Sequence, residues 1–348
     1  MQCQISAGET GCSLRIGKGG MEAPRTGDLQ AIDLEGHDLR ARILPLGATL
    51  AGLWTRGHGP SLVLGFDDPA AYAREPHHYM GAVIGRTANR IAHGRARIEG
   101  EELRLPINVP PHHSHGGTSG FSARVWEVED RTATRLTLRL QSPDGDQGYP
   151  GAVTARVTYA LIPPSTLRLE MEAQATRPTP LGLCHHPYFN LSDRADMSGH
   201  VLTLAASSYL PCDETILPTG EIAPVEGTPF DFRQPRRLGE ILSSGHRLNN
   251  TVVLHELPAG PTAFAARLTG PTGLALELRT TQPGLHVYTA HKLRSDEPEL
   301  AGRALIPLAA LCLEAQAWPN SVNTPAFPHA VCKPGMPYRQ VTEYAVRA

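Results

Sequence analysis

Two histidines stand side by side in LGLCHHPYFNLSD (181–193), and a lone glutamate sits among apolar residues in ALCLEAQAWPN (310–320). Imidazole and carboxyl groups are readily tuned to move protons near neutral pH, so both stretches are candidates for acid–base chemistry. Neighbouring residues on an extended chain point to opposite faces, so His185 and His186 cannot serve one site. If 181–186 is a strand, Leu181, Leu183 and His185 face a core while Gly182, Cys184 and His186 face away from it. The small residues would leave a hollow into which His186 and Tyr188 project, which makes His186 the candidate and His185 the bystander. In the second stretch, Leu311 and Leu313 share one side, and Cys312, Glu314 and Gln316 share the other. Glu314 then either meets solvent or lies in a cleft, where burial raises its pKa into a range useful for proton transfer.

A third region offers binding groups. GAVIGRTANRIAHG (81–94) carries Arg86 and Arg90 four residues apart, with Asn89 beside Arg90. NVPPHHSHGGTSGF (108–121) carries His112, His113 and His115 ahead of two glycines that allow a tight turn and close ligand approach. The His-x-His spacing could hold a metal, but the next acid is Glu127, too distant for a local ligand set. A phosphate loop is not supported, because no GxxxxGK[ST] pattern occurs between a strand and a helix.

The elements that must position these residues are short and extended. RLTLRLQS, AVTARVTYALI, TLRLEMEAQA, NTVVLHEL and GLHVYTAHK alternate or run apolar over strand lengths. In TLRLEMEA, Leu167, Leu169 and Met171 take one face, and Arg168, Glu170 and Glu172 take the other. Thirty-four glycines and thirty-one prolines separate such runs, and no long amphipathic helix appears, which predicts an all-β sandwich or barrel. No linker or repeat divides the 348 residues, so one domain over 27–348 is expected, preceded by an extension over 1–26. The net charge of -2 argues against nucleic acid or an anionic membrane as partner and suits a small, nearly neutral ligand. No apolar run of membrane-spanning length and no signal-peptide pattern is visible. The six cysteines form no CxxC pair or disulfide framework, so reduced thiols in a cytoplasmic protein are expected.

Taken together, these stretches resemble the aldose 1-epimerase (galactose mutarotase) family from about residue 30 to the carboxyl end. GAVIGRTANRIAHG looks like the family's GRxANRI segment, HSHGGTSGF like its LHGGxxGF, and HHPYFNL like its HxYFNL. DGDQGYPG (144–151), PTGEIAPVEGTPFDFR (218–233) and LEAQAWPNSVNTPAFP (313–328) resemble further stretches in the same order. The resemblance implies a large antiparallel β-sandwich that uses no metal or cofactor and acts on a monosaccharide. It implies that Asn89 and Arg90 bind sugar hydroxyls, with Arg86 a structural neighbour. It further implies that His115 contacts the substrate and helps polarise its ring oxygen, and that Tyr188 lies beside His186. His186 would be the general acid and Glu314 the general base.

Two departures from the family pattern bear on sugar recognition. RLNNTVV puts Asn249 where a sugar-binding carboxylate is usual, and GLHVYTA puts His286 where glutamine is frequent. Asn320 also replaces an acid after Glu314. An ionised carboxylate only accepts hydrogen bonds, whereas an amide both accepts and donates, so hydroxyl recognition has changed. Chemically, interconverting anomers needs a base for the C1 hydroxyl proton and an acid for the ring oxygen. The open aldehyde then turns about C1–C2, which suits a loose hollow lined by Gly182 and Cys184. Rival readings are a hexose-phosphate 1-epimerase with Arg124, Arg236 and Arg237 around the phosphate, a non-catalytic sugar-binding sandwich, and a metal enzyme using the His-x-His pair.

Overall fold

Alternation of apolar and polar residues writes most of this structure, a computed structural model that describes residues 29–254 and 262–347. The expected extension over 1–26 and the end of NTVVLHEL lie outside the described residues. The largest sheet has nine strands, and its centre is formed by antiparallel neighbours Arg135–Ser142, Val153–Ile162, Thr166–Ala175, Tyr338–Arg347 and Ala275–Thr280. In Thr166–Ala175 the residues Leu167, Leu169, Met171 and Ala173 are buried, while Arg168 pairs with Glu170 at 2.7 Å and Glu343 at 2.8 Å on the opposite face.

A six-stranded sheet packs on that buried face. Its antiparallel order is Tyr188–Phe189, Leu311–Gln316, Gly284–Tyr288, Asn249–Leu254, Ala206–Tyr209 and Ala223–Pro224. Leu311, Leu313, Ala315, Leu285, Val287 and Val252 join the core shared with the larger sheet. Burying such side chains contributes about 1.5–3 kcal/mol each and pins the register, because a slip of one residue would turn the apolar set outward.

That register has a consequence for the opposite face. His286 lies across from Glu314 on one side and Thr251 on the other, and Tyr288 lies across from Cys312 and Asn249. Polar and aromatic side chains from four strands are thus gathered on one surface, and irregular segments around residues 77–90 and 109–115 cover it. Gly116 holds this cover close. Its φ is +78°, and a Cβ there would run into the Gly85 carbonyl. The close approach expected at these glycines is therefore to the chain's own backbone.

The stretch 181–186 is less regular than a full strand. Only Cys184–His185 pairs, antiparallel to Val83–Ile84, while Gly182 bridges Thr87 in parallel.

Candidate active site

A cavity of about 270 Å³ opens on the six-stranded sheet, near the lower end for small-molecule pockets. Asn89, Arg90, His115, His186, Tyr188, Asn249, His286 and Glu314 all line it. Glu314 comes up from the strand Leu311–Gln316 and is 1 % exposed. His186 follows the two-residue strand Cys184–His185, and its Nε2 lies 3.5 Å from Glu314 Oε1. Cys184 donates its thiol to Glu314 Oε2 over 3.8 Å. Burial pushes the Glu314 carboxyl up to about 8, and burial drives the His186 imidazole down to about 4. Between those values the pair holds one proton, lodged on the carboxyl when the cavity is empty. His186 Nδ1 is buried without a partner among the described residues.

Aromatic groups hold the imidazole in place. Tyr188 stacks on His186 with centroids 5.2 Å apart, and its hydroxyl donates to the His78 carbonyl at 2.9 Å. Tyr79 packs on His115 at 4.7 Å. His115 Nδ1 accepts the Asn89 backbone N–H at 3.4 Å, and burial lowers its pKa well below the usual value. The neutral ring therefore carries its proton on Nε2, the nitrogen left for a ligand. Arg90 reaches only the Ile216 carbonyl, at 3.5 Å, and its buried Nε has no partner among the described residues. The two departures from the family pattern touch each other, with His286 Nε2 2.9 Å from Asn249 Oδ1.

Other candidates lie elsewhere or are fully engaged. His185 meets the Tyr344 hydroxyl at 3.0 Å and the Gly81 carbonyl at 3.1 Å. Arg86 is buried among carbonyls, donating to Pro150, Gly151, Ser142 and Pro143. His113 is taken by Pro106 O at 2.7 Å and the Tyr149 hydroxyl at 2.8 Å, which removes it from any shared site with His115. His112 bonds Thr215 Oγ1 at 2.7 Å. Asn320 accepts the Ala92 N–H at 3.0 Å in a turn. Arg124 pairs with Asp146 at 2.7 Å, and neither it nor Arg236 or Arg237 lines the cavity.

The hollow of small residues is corrected by the structure. Gly182 packs near Ala317 and lines a separate crevice, while Cys184 sits behind Glu314, so neither forms the cavity wall. Rings and amides form that wall instead. The strand ends before His186, and the chain turns the imidazole over the sheet rather than continuing in its plane.

Sequence reasoning missed Tyr288, Tyr79, His77, His78 and Lys292, which also line the cavity. Tyr288 was within reach, because it shares a face with His286 two residues earlier on Gly284–Tyr288. The others sit in the single 3₁₀ turn Pro76–His78, just after it, or in the turn at Lys292, all too short to show a period. Among the described residues two groups bring metal-binding side chains within 4.8 Å of one another, Glu75 with His77 and His78, and His186 with Cys312 and Glu314. In the second, burial drives the Cys312 thiol well up and the Glu314 carboxyl to about 8, so both would have to lose protons they hold at neutral pH. In the first, His78 Nε2 already lies 3.1 Å from the Arg294 carbonyl.

Known proteins of the same build supply the context. The aldose 1-epimerase family model matches residues 30–345. A galactose mutarotase from Mus musculus is 40 % identical over 324 residues, covering 91 % of this chain and 93 % of the relative. An aldose 1-epimerase from Haemophilus influenzae is 34 % identical over 277 residues, covering 76 % of this chain and 80 % of the relative. An aldose epimerase homologue from C. elegans superposes with a TM-score of 0.86 at 29 % identity, covering 91 % of this chain and 98 % of that one. The chain belongs to the aldose 1-epimerase family.

Proposed function

We propose that this chain interconverts the α and β anomers of an aldose, with Glu314 and His186 as the proton-transfer pair. The observation that carries the reading is the contact of a buried carboxyl and a buried imidazole, 3.5 Å apart, at a cavity of monosaccharide scale. The carboxylate takes the proton of the C1 hydroxyl while His186 protonates the ring oxygen, and the ring opens to the aldehyde. As this happens the pair passes from carboxylate and imidazolium to carboxylic acid and neutral imidazole. The latter is the arrangement that burial favours in the empty cavity, so the open-chain state meets the electrostatics of the site. Rotation about C1–C2 presents the other carbonyl face, and the same steps reversed close the ring. Both groups end as they began, and no further reactant is consumed.

Arg90 and Asn89 would hold sugar hydroxyls, His115, whose ring centroid lies 5.9 Å from that of His186, would help polarise the ring oxygen, and Tyr188 would buttress His186. A monosaccharide is the partner this supports, in a cytoplasmic setting suggested by free thiols at Cys184, Cys212, Cys312 and Cys332. No helix among the described residues is long and apolar enough to cross a membrane.

The test is NMR exchange between anomers, or polarimetry on a freshly dissolved anomer, over free hexoses, pentoses and hexose phosphates. Glu314→Gln should lower kcat/KM by roughly a hundredfold or more while circular dichroism stays unchanged. A wild-type-like rate in that variant removes the assignment.

A further inference from the structure

The amide of Asn249 faces the cavity, and three contacts behind it decide which end it shows. The Arg90 backbone N–H donates to Asn89 Oδ1 at 3.0 Å. A backbone amide can only donate, so the Asn89 side chain is fixed with its Nδ2 on the opposite side, 3.5 Å from His286 Nδ1. That contact is long and weak, yet it sets a sign, because two N–H groups would not face one another. Thr251 Oγ1 lies 3.1 Å from the same nitrogen and can donate to it. His286 Nδ1 is therefore an acceptor. The ring is buried and neutral, its pKa driven down to about 3 by burial. Its proton must then sit on Nε2, which donates to Asn249 Oδ1 at 2.9 Å.

With its oxygen turned to His286, Asn249 presents its NH₂ to a ligand. On the same wall Arg90 only donates and His115 offers Nε2–H, while the Tyr288 hydroxyl opposite Asn249 already accepts the Lys292 N–H at 3.0 Å. No carboxylate lines this side of the cavity, because Glu314 is the one acid among the lining residues.

We propose that His286 locks Asn249 as a hydrogen-bond donor, so that this subsite recognises a sugar substituent through its lone pairs alone and does not require a hydroxyl proton there. The inference rests on the sugar-binding reading above and goes beyond it by naming a substrate class: aldoses whose substituent at this point can accept, whether or not it can donate. A hydroxyl qualifies, and so does a fluorine or a methoxy oxygen. A bare methylene does not.

Deoxy and deoxyfluoro analogues at C3, C4 and C6 test this, built on whichever of D-galactose and D-glucose the wild-type protein binds better. Fluorine accepts weakly and cannot donate. At one of these positions the fluoro sugar should keep kcat/KM within about threefold of the parent, while the deoxy sugar falls about tenfold. In Asn249→Asp, whose carboxylate only accepts, the fluoro-to-parent ratio at that position should drop at least tenfold further. Fluoro sugars falling as far as deoxy sugars at all three positions, or a ratio indifferent to Asn249→Asp, would overturn the inference. The same ratios read as Kd by calorimetry need no turnover. A protein that binds the series as expected but exchanges no anomers would defeat the acid–base assignment alone.

Discussion

Two histidine–arginine pairs occupy the same stretches of chain and differ in one respect. His185 and Arg86 have their hydrogen-bonding capacity filled by the protein, the first by Tyr344 and Gly81, the second by Ser142 and the carbonyls around it. His186 and Arg90, one and four residues further on, each leave a buried ring or guanidinium nitrogen without a partner among the described residues. Burial does not separate the pairs. It drives His185 down to about 3 and His186 to about 4, and it lowers Arg86 to about 10 and Arg90 in the same direction. What separates them is satisfaction. A buried polar group completed by its own chain holds the fold together, and one left incomplete on a residue that lines the cavity is a candidate for work on a ligand.

Exchanging the roles in pairs is the way to break that distinction. The largest expected effect is on activity: His186→Asn should lower kcat/KM for anomer exchange by about 10²–10⁴-fold with little change in stability. His185→Asn should instead cost about 1–3 kcal/mol in chemical denaturation and change kcat/KM by less than about tenfold. Equal activity losses in the two variants would end the comparison. The arginines should split in the same sense. Arg86→Met strands several buried carbonyls and should destabilise by about 3 kcal/mol or more. Arg90→Met should leave stability within about 1 kcal/mol while KM rises roughly tenfold, read from saturation curves.

The pH profile sharpens the comparison further. In the proposed mechanism one proton on the His186–Glu314 pair is the working state, and it is populated between about pH 4 and about pH 8. Below that window both groups are protonated and no base remains; above it neither holds a proton and no acid remains. We expect kcat/KM to fall on both sides, about tenfold per unit once outside, and a flat profile would count against the shared proton.

The alternation in TLRLEMEAQA and the leucines beside Glu314 made the strands and the polar face of Leu311–Gln316 legible from sequence. Separating His186 from its neighbour was equally possible, because alternation forces adjacent residues apart. The register that sets His286 against Glu314 could not be read, since it depends on strands whose apolar faces pack only in the folded state. The strand considered over 181–186 is only partly formed for a related reason. Gly182 follows Thr87 as a partner instead of an antiparallel neighbour, and Ala88 donates to the Gly182 carbonyl at 2.7 Å. Tyr79, His77 and Lys292 reach the cavity from turns, where neither period nor composition marks a residue as facing a site. The link between Asn249 and His286 was likewise invisible, because the two departures became one feature only when a 2.9 Å contact joined them.

The smallest effect bears on the energetic side of leaving groups unsatisfied. Glu314 holds its proton up to about 8 in the folded protein, whereas its ordinary value is 4.5. A carboxyl whose pKa is raised by folding releases its proton more readily when unfolded, so rising pH across that interval favours the unfolded chain. A glutamine in its place carries no such proton. Glu314→Gln should therefore match the wild type in stability below about pH 4.5, gain on it steadily as pH rises, and level off above about pH 8. A shift of that size sets an upper limit of roughly 5 kcal/mol on the advantage there, and denaturant titrations should read at least about 1 kcal/mol of it. His186 is lowered by burial to about 4, so above about pH 5 it is neutral in both proteins and the difference there reports the carboxyl. A stability gap constant from pH 4 to pH 9 would mean that the carboxyl is not held protonated by the fold. The proton shared with His186 would then lose its physical basis even if the variant were inactive.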